Sequence, residues 1–289
     1  MNPSSPGPEV TLPHTTWRVL THAGARYFLR LAWPAGPAPA DGFPLLCLLD
    51  AHVSFATAVE SIRARSHRPD ATGVPPTVVV GLSLDPPRDR RRRTWDFTPA
   101  DLARPADDEV TDDDDIETGG AGALLDLLAD TVLPDVAREW PIDPARRTLV
   151  GHSLSGFFVL HALVTRPALF ETFVAASPSI WWDPAGVMAR AAALAGDDHQ
   201  PAPRVLVTAG EYEQAPAPWQ PADAWTADAL DRRQRRQMVT YVEQIGRHLA
   251  PLAARGGSAR TIIFPGEDHA SVVPLTINQA LRFGPGRIG

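Results

Sequence analysis

Apolar residues along this chain fall into two alternating kinds of cluster: short continuous runs and longer stretches with helical spacing. Residues 26–33 alternate between apolar and polar, as a half-exposed strand does. Residues 44–49 (PLLCLL) are continuously apolar, which predicts a strand buried on both faces. Residues 77–82 (TVVVGL) predict a second, β-branched at its centre, and shorter runs at 147–150, 172–176, 205–208 and 261–264 predict four more. Helical character marks residues 55–64. Gly119 and Gly120 open a helix with apolar positions at Leu124, Leu127, Leu128, Val132 and Leu133. Residues 154–164 are apolar on nearly all sides, as a buried helix is. Met238, Tyr241, Val242, Ile245, Leu249 and Leu252 keep helical spacing until Gly256 and Gly257, and a terminal helix follows from Ser271. Residues 34–44, rich in Pro, Gly and Ala, read as a loop. Residues 1–15 read as a flexible lead, and 85–118, with few apolar positions and no period, as a long surface excursion. Strands alternating with helices predict an α/β fold, a mostly parallel sheet flanked by helices on both faces. No repeat or linker divides it, so residues 1–289 are expected to form one domain.

Composition narrows the picture. With 34 acidic against 27 basic residues, the net charge of -7 argues against nucleic-acid binding. No apolar run approaches the roughly 20 residues needed to span a bilayer. Cys47 is the only cysteine, so neither an intramolecular disulfide nor a cysteine-based zinc site can form. The first ten residues lack the basic and apolar regions of a secretory signal, so a cytoplasmic protein is expected. Every basic residue is arginine, which pairs two-pronged with oxyanions. The net charge also averages over opposed runs. Residues 88–93 hold five arginines and one aspartate, and residues 112–115 are four aspartates. The plain reading of both is solvated loop. The arginines also suit an anion, so the acidic total does not exclude an anionic substrate.

The strongest local signal is TLVGHSLSG at 148–156. A buried strand enters a small-residue turn at Ser153 and a buried helix leaves it, the context of a nucleophile elbow. Such a turn lifts the serine hydroxyl out of the sheet, and the Leu154 amide at the helix start can stabilise an oxyanion. Ser155 stands where glycine is usual, with glycine delayed to Gly156, which predicts a slightly widened turn. A serine hydroxyl needs a base. In this architecture the order is serine, acid, histidine, and His269 follows the last strand. The acid should follow the strand ending near Ala209, where GEYEQ offers Glu213 first by its offset from Gly210 and Glu211 in reserve. Asp228 is a distant third, and a serine–histidine dyad is the alternative. A second oxyanion amide should come from Ala51 or His52, after the 44–49 strand. His152 reads as packed in the elbow, and His248, inside a helix, as structural. Trp181 and Trp182 either stack on an aromatic substrate group or belong to the core.

These segments resemble the esterase family of the α/β-hydrolases: GHSLSGFFVL at 151–160, AASPSIWW at 175–182, GEYEQ at 210–214 and GEDHASVVP at 266–274. LLD at 48–50 resembles that family's oxyanion strand, and RTWDFTP at 93–99 its R-x-x-D-[LF]-T-P segment. The motifs run in order from about residue 44 to 275, and are specific for fold and branch. The branch includes trilactone siderophore esterases acting on enterobactin- and salmochelin-type esters, together with feruloyl-type esterases and acyltransferases. The resemblance implies an α/β-hydrolase fold and a serine esterase that needs no cofactor or metal. Ser153 matches the nucleophile and His269 the base. Glu213 matches an acidic position whose role varies, and Arg93 holds the motif position within the arginine run, where it would contact substrate. The implied partner is a small-molecule ester, an anionic siderophore among the candidates, with neither nucleic acid nor membrane. Smaller aryl esters, acyl transfer, and a non-catalytic binding module that keeps the elbow are the alternatives.

Overall fold

The computed structural model describes residues 11–87, 89–100, 102, 117–199, 202–221 and 225–287. Of the 85–118 excursion, Arg88 and residues 101 and 103–116, with the aspartate run at 112–115, lie outside the described residues, as do the first ten residues of the flexible lead. Eight strands form one sheet in the order β1-β2-β4-β3-β5-β6-β7-β8. They are β1 (Thr15–His22), β2 (Ala25–Ala32), β3 (Phe43–Leu49), β4 (Val78–Asp85), β5 (Ile142–His152), β6 (Thr172–Ala176), β7 (Arg204–Gly210) and β8 (Ser258–Phe264). β1 and β2 are antiparallel, and β2 meets β4 antiparallel. From β4 through β3, β5, β6 and β7 to β8 every pairing is parallel. Parallel strands with both faces covered must be apolar throughout, and all seven residues of β3 are buried.

Helices α1 (Phe55–Ser66), α2 (Pro69–Thr72), α3 (Arg90–Phe97), α4 (Ala121–Asp126), α5 (Leu133–Glu139), α6 (Leu154–Thr165), α7 (Pro184–Gly196), α8 (Ala227–Arg236), α9 (Met238–Leu249) and α10 (Val272–Phe283) complete the fold. A π-helical segment, Leu127–Val132, joins α4 to α5 just ahead of Pro134, which has no N–H to donate. Two apolar clusters lie on opposite faces of the sheet. One gathers the residues of α4, α5, α6, α7 and α9, the other those of α1 and α10. Each large side chain fully buried there contributes about 1.5–3 kcal/mol relative to exposure.

Two expectations change. β1 is an additional edge strand that starts at the end of the supposed lead; its Trp17 and Val19 point to solvent, which hides the alternation. The excursion does not begin as solvated loop. α3 starts at Arg90, is capped by the Asp89 side chain accepting from the Arg92 amide, and buries Thr94, Asp96 and Phe97. Two of its four arginines pack inward, while Arg90 and Arg91 are exposed: Arg92 lies over Trp95 at 4.3 Å and pairs with Asp96 at 2.8 Å, and Arg93 pairs with Asp50 at 2.8 Å. Long arginine stems cover apolar surface while their heads stay polar, so a helix face can hide inside a charged run.

Candidate active site

At the end of β5 the chain turns through Ser153 (φ 60°, ψ -119°) straight into α6. A non-glycine residue held there costs about 1–3 kcal/mol and persists only where its surroundings fix it. The surroundings are visible. The Ser153 amide donates to the Ala176 carbonyl (2.9 Å), and the Ser179 amide donates to the Ser153 carbonyl (3.1 Å). Ser155 is fully buried, and its hydroxyl bridges the turn: it donates to the His152 carbonyl (2.8 Å) and accepts from the His152 amide (2.9 Å). The side chain that interrupts the usual glycine pattern thus becomes a brace. Gly151 has no such latitude, because a Cβ there would stand 2.2 Å from the Ser155 carbonyl oxygen.

β7 ends at Gly210, and the short 3₁₀ turn Glu211–Glu213 aims the Glu213 side chain inward. His269 Nδ1 donates to Glu213 Oε2 (2.6 Å), while Oε1 accepts from Ser177 Oγ (2.6 Å) and from the Gly210 amide (2.6 Å). Burial alone would raise the Glu213 pKa. The hydrogen bond and charge of His269, with Ser177 and Gly210, outweigh burial and hold it below the ordinary carboxylate value. Glu211 instead accepts from the Gly266 amide (2.7 Å), and Asp228 lies exposed in the first turn of α8. His152 packs its ring 4.5 Å from that of His269, and its Nε2 donates to the His269 carbonyl (2.8 Å). Burial, then the nearby His269 charge, push its pKa down to about 3, so it stays neutral.

Ser153, His269 and Glu213 line one cavity of about 220 Å³. Its walls hold Ser179, Trp181, Trp225, Arg232, Arg233 and Arg236. Arg236 lies over Trp181 (4.2 Å) and Arg233 over Trp225 (4.1 Å). Sequence reasoning missed these arginines. Residues 232, 233 and 236 share one side of a helix, but their stretch is so polar that no core-facing period revealed it.

Other expected residues sit elsewhere. Trp182 is packed in the core, 6 % exposed. Arg93 donates twice to Asp50 Oδ2 (2.8 and 3.0 Å) and lies over Phe97 at 5.4 Å. It lines a neighbouring cavity of about 370 Å³ that includes His52, Asp50 and His152 but neither Ser153 nor His269. Arg93 therefore holds Asp50, which carries a positive φ of 47°, rather than reaching the Ser153 cavity. The amides expected to supply the second oxyanion donor have partners in this structure. The Ala51 amide donates to the Leu82 carbonyl (3.2 Å) and the His52 amide to Ser83 Oγ (2.9 Å). The turn at Asp50 directs both toward β4. Leu154, the first residue of α6, keeps an amide without a partner inside the helix.

A sheet of this order with a strained serine after β5, a carboxylate after β7 and a histidine after β8 defines an α/β-hydrolase. The chain belongs to the family described as "Putative esterase", which it matches over residues 24–251, and it is a carboxylic ester hydrolase. It is 31% identical over 281 residues to ferri-bacillibactin esterase BesA of Bacillus subtilis, covering 94% of this chain and 90% of that protein. It is 30% identical over 276 residues to siderophore triacetylfusarinine C esterase of Aspergillus fumigatus, covering 89% and 88%. Its fold superposes on the crystal structure of the BES protein from Bacillus cereus with a TM-score of 0.80 at 26% identity, covering 98% of both chains. No helix among the described residues is long and apolar enough to cross a membrane.

Proposed function

We propose that the protein is a serine esterase of iron-carrying siderophores and that Ser153, His269 and Glu213 are its triad. The observation that carries the catalytic reading is the Glu213–His269 hydrogen bond at the wall of the cavity that also holds the strained Ser153. Ser153 Oγ attacks the ester carbonyl carbon as His269 Nε2 takes its proton. Glu213 fixes the imidazole with its proton on Nδ1 and stabilises the imidazolium that forms. The Leu154 amide donates to the oxyanion. His269 then protonates the leaving alcohol, and activates a water that releases the acid from the acyl-enzyme.

The substrate class rests on the walls. Three arginines beside two tryptophans suit a ligand with anionic oxygens and flat apolar faces. The names of the two curated relatives specify siderophore esters, which supports the same choice. Purified protein is to be tested against aryl esters of graded chain length, feruloyl esters, and ferric and iron-free trilactone siderophores. The siderophore ester should be cleaved with the highest kcat/KM, whereas preference for short aryl esters would overturn this assignment. Ser153→Ala should lose hydrolysis by about 10³-fold or more; retained turnover in the pure variant would remove Ser153 from the mechanism.

A further inference from the structure

The cavity contains a second hydroxyl for which the triad has no use. Ser179 Oγ lies 3.4 Å from Ser153 Oγ, and Ser179 is 4 % exposed. Its backbone is pinned. The Ser179 amide donates to the Ser153 carbonyl (3.1 Å), and the Ser179 carbonyl accepts from the Trp182 amide (3.2 Å). The hydroxyl therefore keeps its place beside the nucleophile and moves chiefly by rotation about its own Cα–Cβ bond. Independently, the two amides expected to complete the oxyanion site have other partners in the resting protein. The Leu154 amide is one donor, but the amides of Ala51 and His52 donate to Leu82 and Ser83. Ester cleavage through a tetrahedral intermediate ordinarily uses at least two donors aimed at the developing charge, and a side-chain hydroxyl serves as well as an amide.

We propose that Ser179 is a catalytic residue: its hydroxyl donates to Ser153 Oγ at rest and to the substrate oxyanion, beside the Leu154 amide, during the reaction. The proposal rests on the reading of Ser153 as nucleophile. In the acylation step a Ser153 Oγ lone pair forms the bond to the carbonyl carbon, and its proton passes to His269 Nε2. The carbonyl π pair moves onto oxygen. Collapse returns that pair, breaks the bond to the alcohol oxygen and takes the proton from His269. Ser179 donates a hydrogen bond throughout and transfers no proton, so it ends each cycle unchanged. The oxyanion forms on the carbon that Ser153 Oγ attacks, so it develops next to the atom that Ser179 Oγ faces at rest.

The experiment compares Ser179→Ala, Ser179→Gly and Ser179→Thr with native enzyme and Ser153→Ala, on one aryl ester, with labelling by a fluorophosphonate as a second readout. Loss of one oxyanion donor typically costs about 10²–10³ in kcat, and for a hydroxyl with this long resting contact about 10–10² is expected in Ser179→Ala and Ser179→Gly. KM should change by less than about twofold, since the contact strengthens only in the transition state. Labelling of Ser153 should slow in step, because the phosphonyl oxygen occupies the same hole. Ser179→Thr, which keeps the hydroxyl, should recover most of the rate. Folded Ala or Gly variants with native kcat overturn the proposal, as does a folded Thr variant as slow as Ala. If Ser153→Ala keeps full activity, the triad reading fails first. If Ser153→Ala is inactive while Ser179→Ala matches native enzyme, only the role of Ser179 falls.

Discussion

An ionised carboxylate accepts through two oxygens, and at Glu213 both are engaged by donors: Ser177 and the Gly210 amide on one, His269 on the other. A glutamine satisfies that set only with its NH₂ toward His269, which must then accept on Nδ1 and carry its proton on Nε2, the wrong tautomer for a base, and the charge-assisted hydrogen bonds become neutral ones. Glu213→Gln should therefore lose both rate and stability. A fall in kcat of about 10³–10⁴ is expected from loss of the charge that orients and stabilises the imidazolium, measured as steady-state hydrolysis. The stability loss has a defined pH dependence. The folded-state pKa of Glu213 lies below its ordinary value of 4.5, so its contribution is complete above pH 4.5 and disappears as pH falls through the folded-state value. The difference in Tm between native and Gln proteins should be greatest near neutrality and shrink below pH 4.5. A difference that stays constant to pH 3 would separate Glu213 from the charge network. This residue was legible in the sequence because the offset of three from Gly210 is enough to place a side chain at the end of β7. Its brace, Ser177, was not, because nothing local marks a serine after β6 as facing a carboxylate after β7.

At the scale of elements, the sheet was legible wherever a strand is buried on both faces, and the boundaries of β6 agree to the residue with the expected 172–176 run. α8 and the edge strand β1 went unread because their apolar content is low or points outward, and α7 because its many alanines blur the helical spacing of Val187, Ala191 and Leu194. α3 is the most instructive failure. Its polarity reflects a charged network turned inward: Asp96 accepts from Arg92 Nε (2.8 Å) and from Tyr27 Oη (2.9 Å), and Arg92 Nη2 donates to Tyr27 Oη (3.0 Å). Burial, opposed by the charge of Arg92, leaves the Asp96 pKa raised from 3.8 to about 6. The folded protein thus holds this proton more tightly than the unfolded chain. Protonation of Asp96 favours folding fully below pH 3.8, and that advantage is lost as pH rises toward 6. Asp96→Asn, fixed in an uncharged form, should lack this decline. Thermal melts of both proteins between pH 4 and 7 should diverge, the native protein losing up to about 3 kcal/mol relative to Asn across the window. Parallel curves would show that Asp96 is not the titrating group.

For the whole molecule, the net charge of -7 says little about the surface a substrate meets. The sheet order brings β5, β6, β7 and β8 to one edge in succession, so that residues from positions 153 to 269 share a cavity. α8 then lays Arg232, Arg233 and Arg236 against it. Within the arginine run at 88–93, Arg92 pairs with Asp96 of the same helix and Arg93 with Asp50. Local charge at the cavity is therefore set by tertiary placement, which composition and spacing do not encode. This makes a distinction that salt can read. At 0.1 M ionic strength charges act over about 10 Å, and at 1 M over about 3 Å. If the α8 arginines recognise anionic oxygens, KM for a ferric siderophore ester should rise several-fold between those conditions, while KM for a neutral aryl ester changes little. Arg232→Gln should reproduce part of that rise at low salt, because it removes one cationic wall residue, and should flatten the salt dependence that remains. Equal salt responses for the two substrates, in native enzyme and variant alike, would assign α8 a structural role and leave the preference for siderophore esters to be explained by the aromatic walls alone.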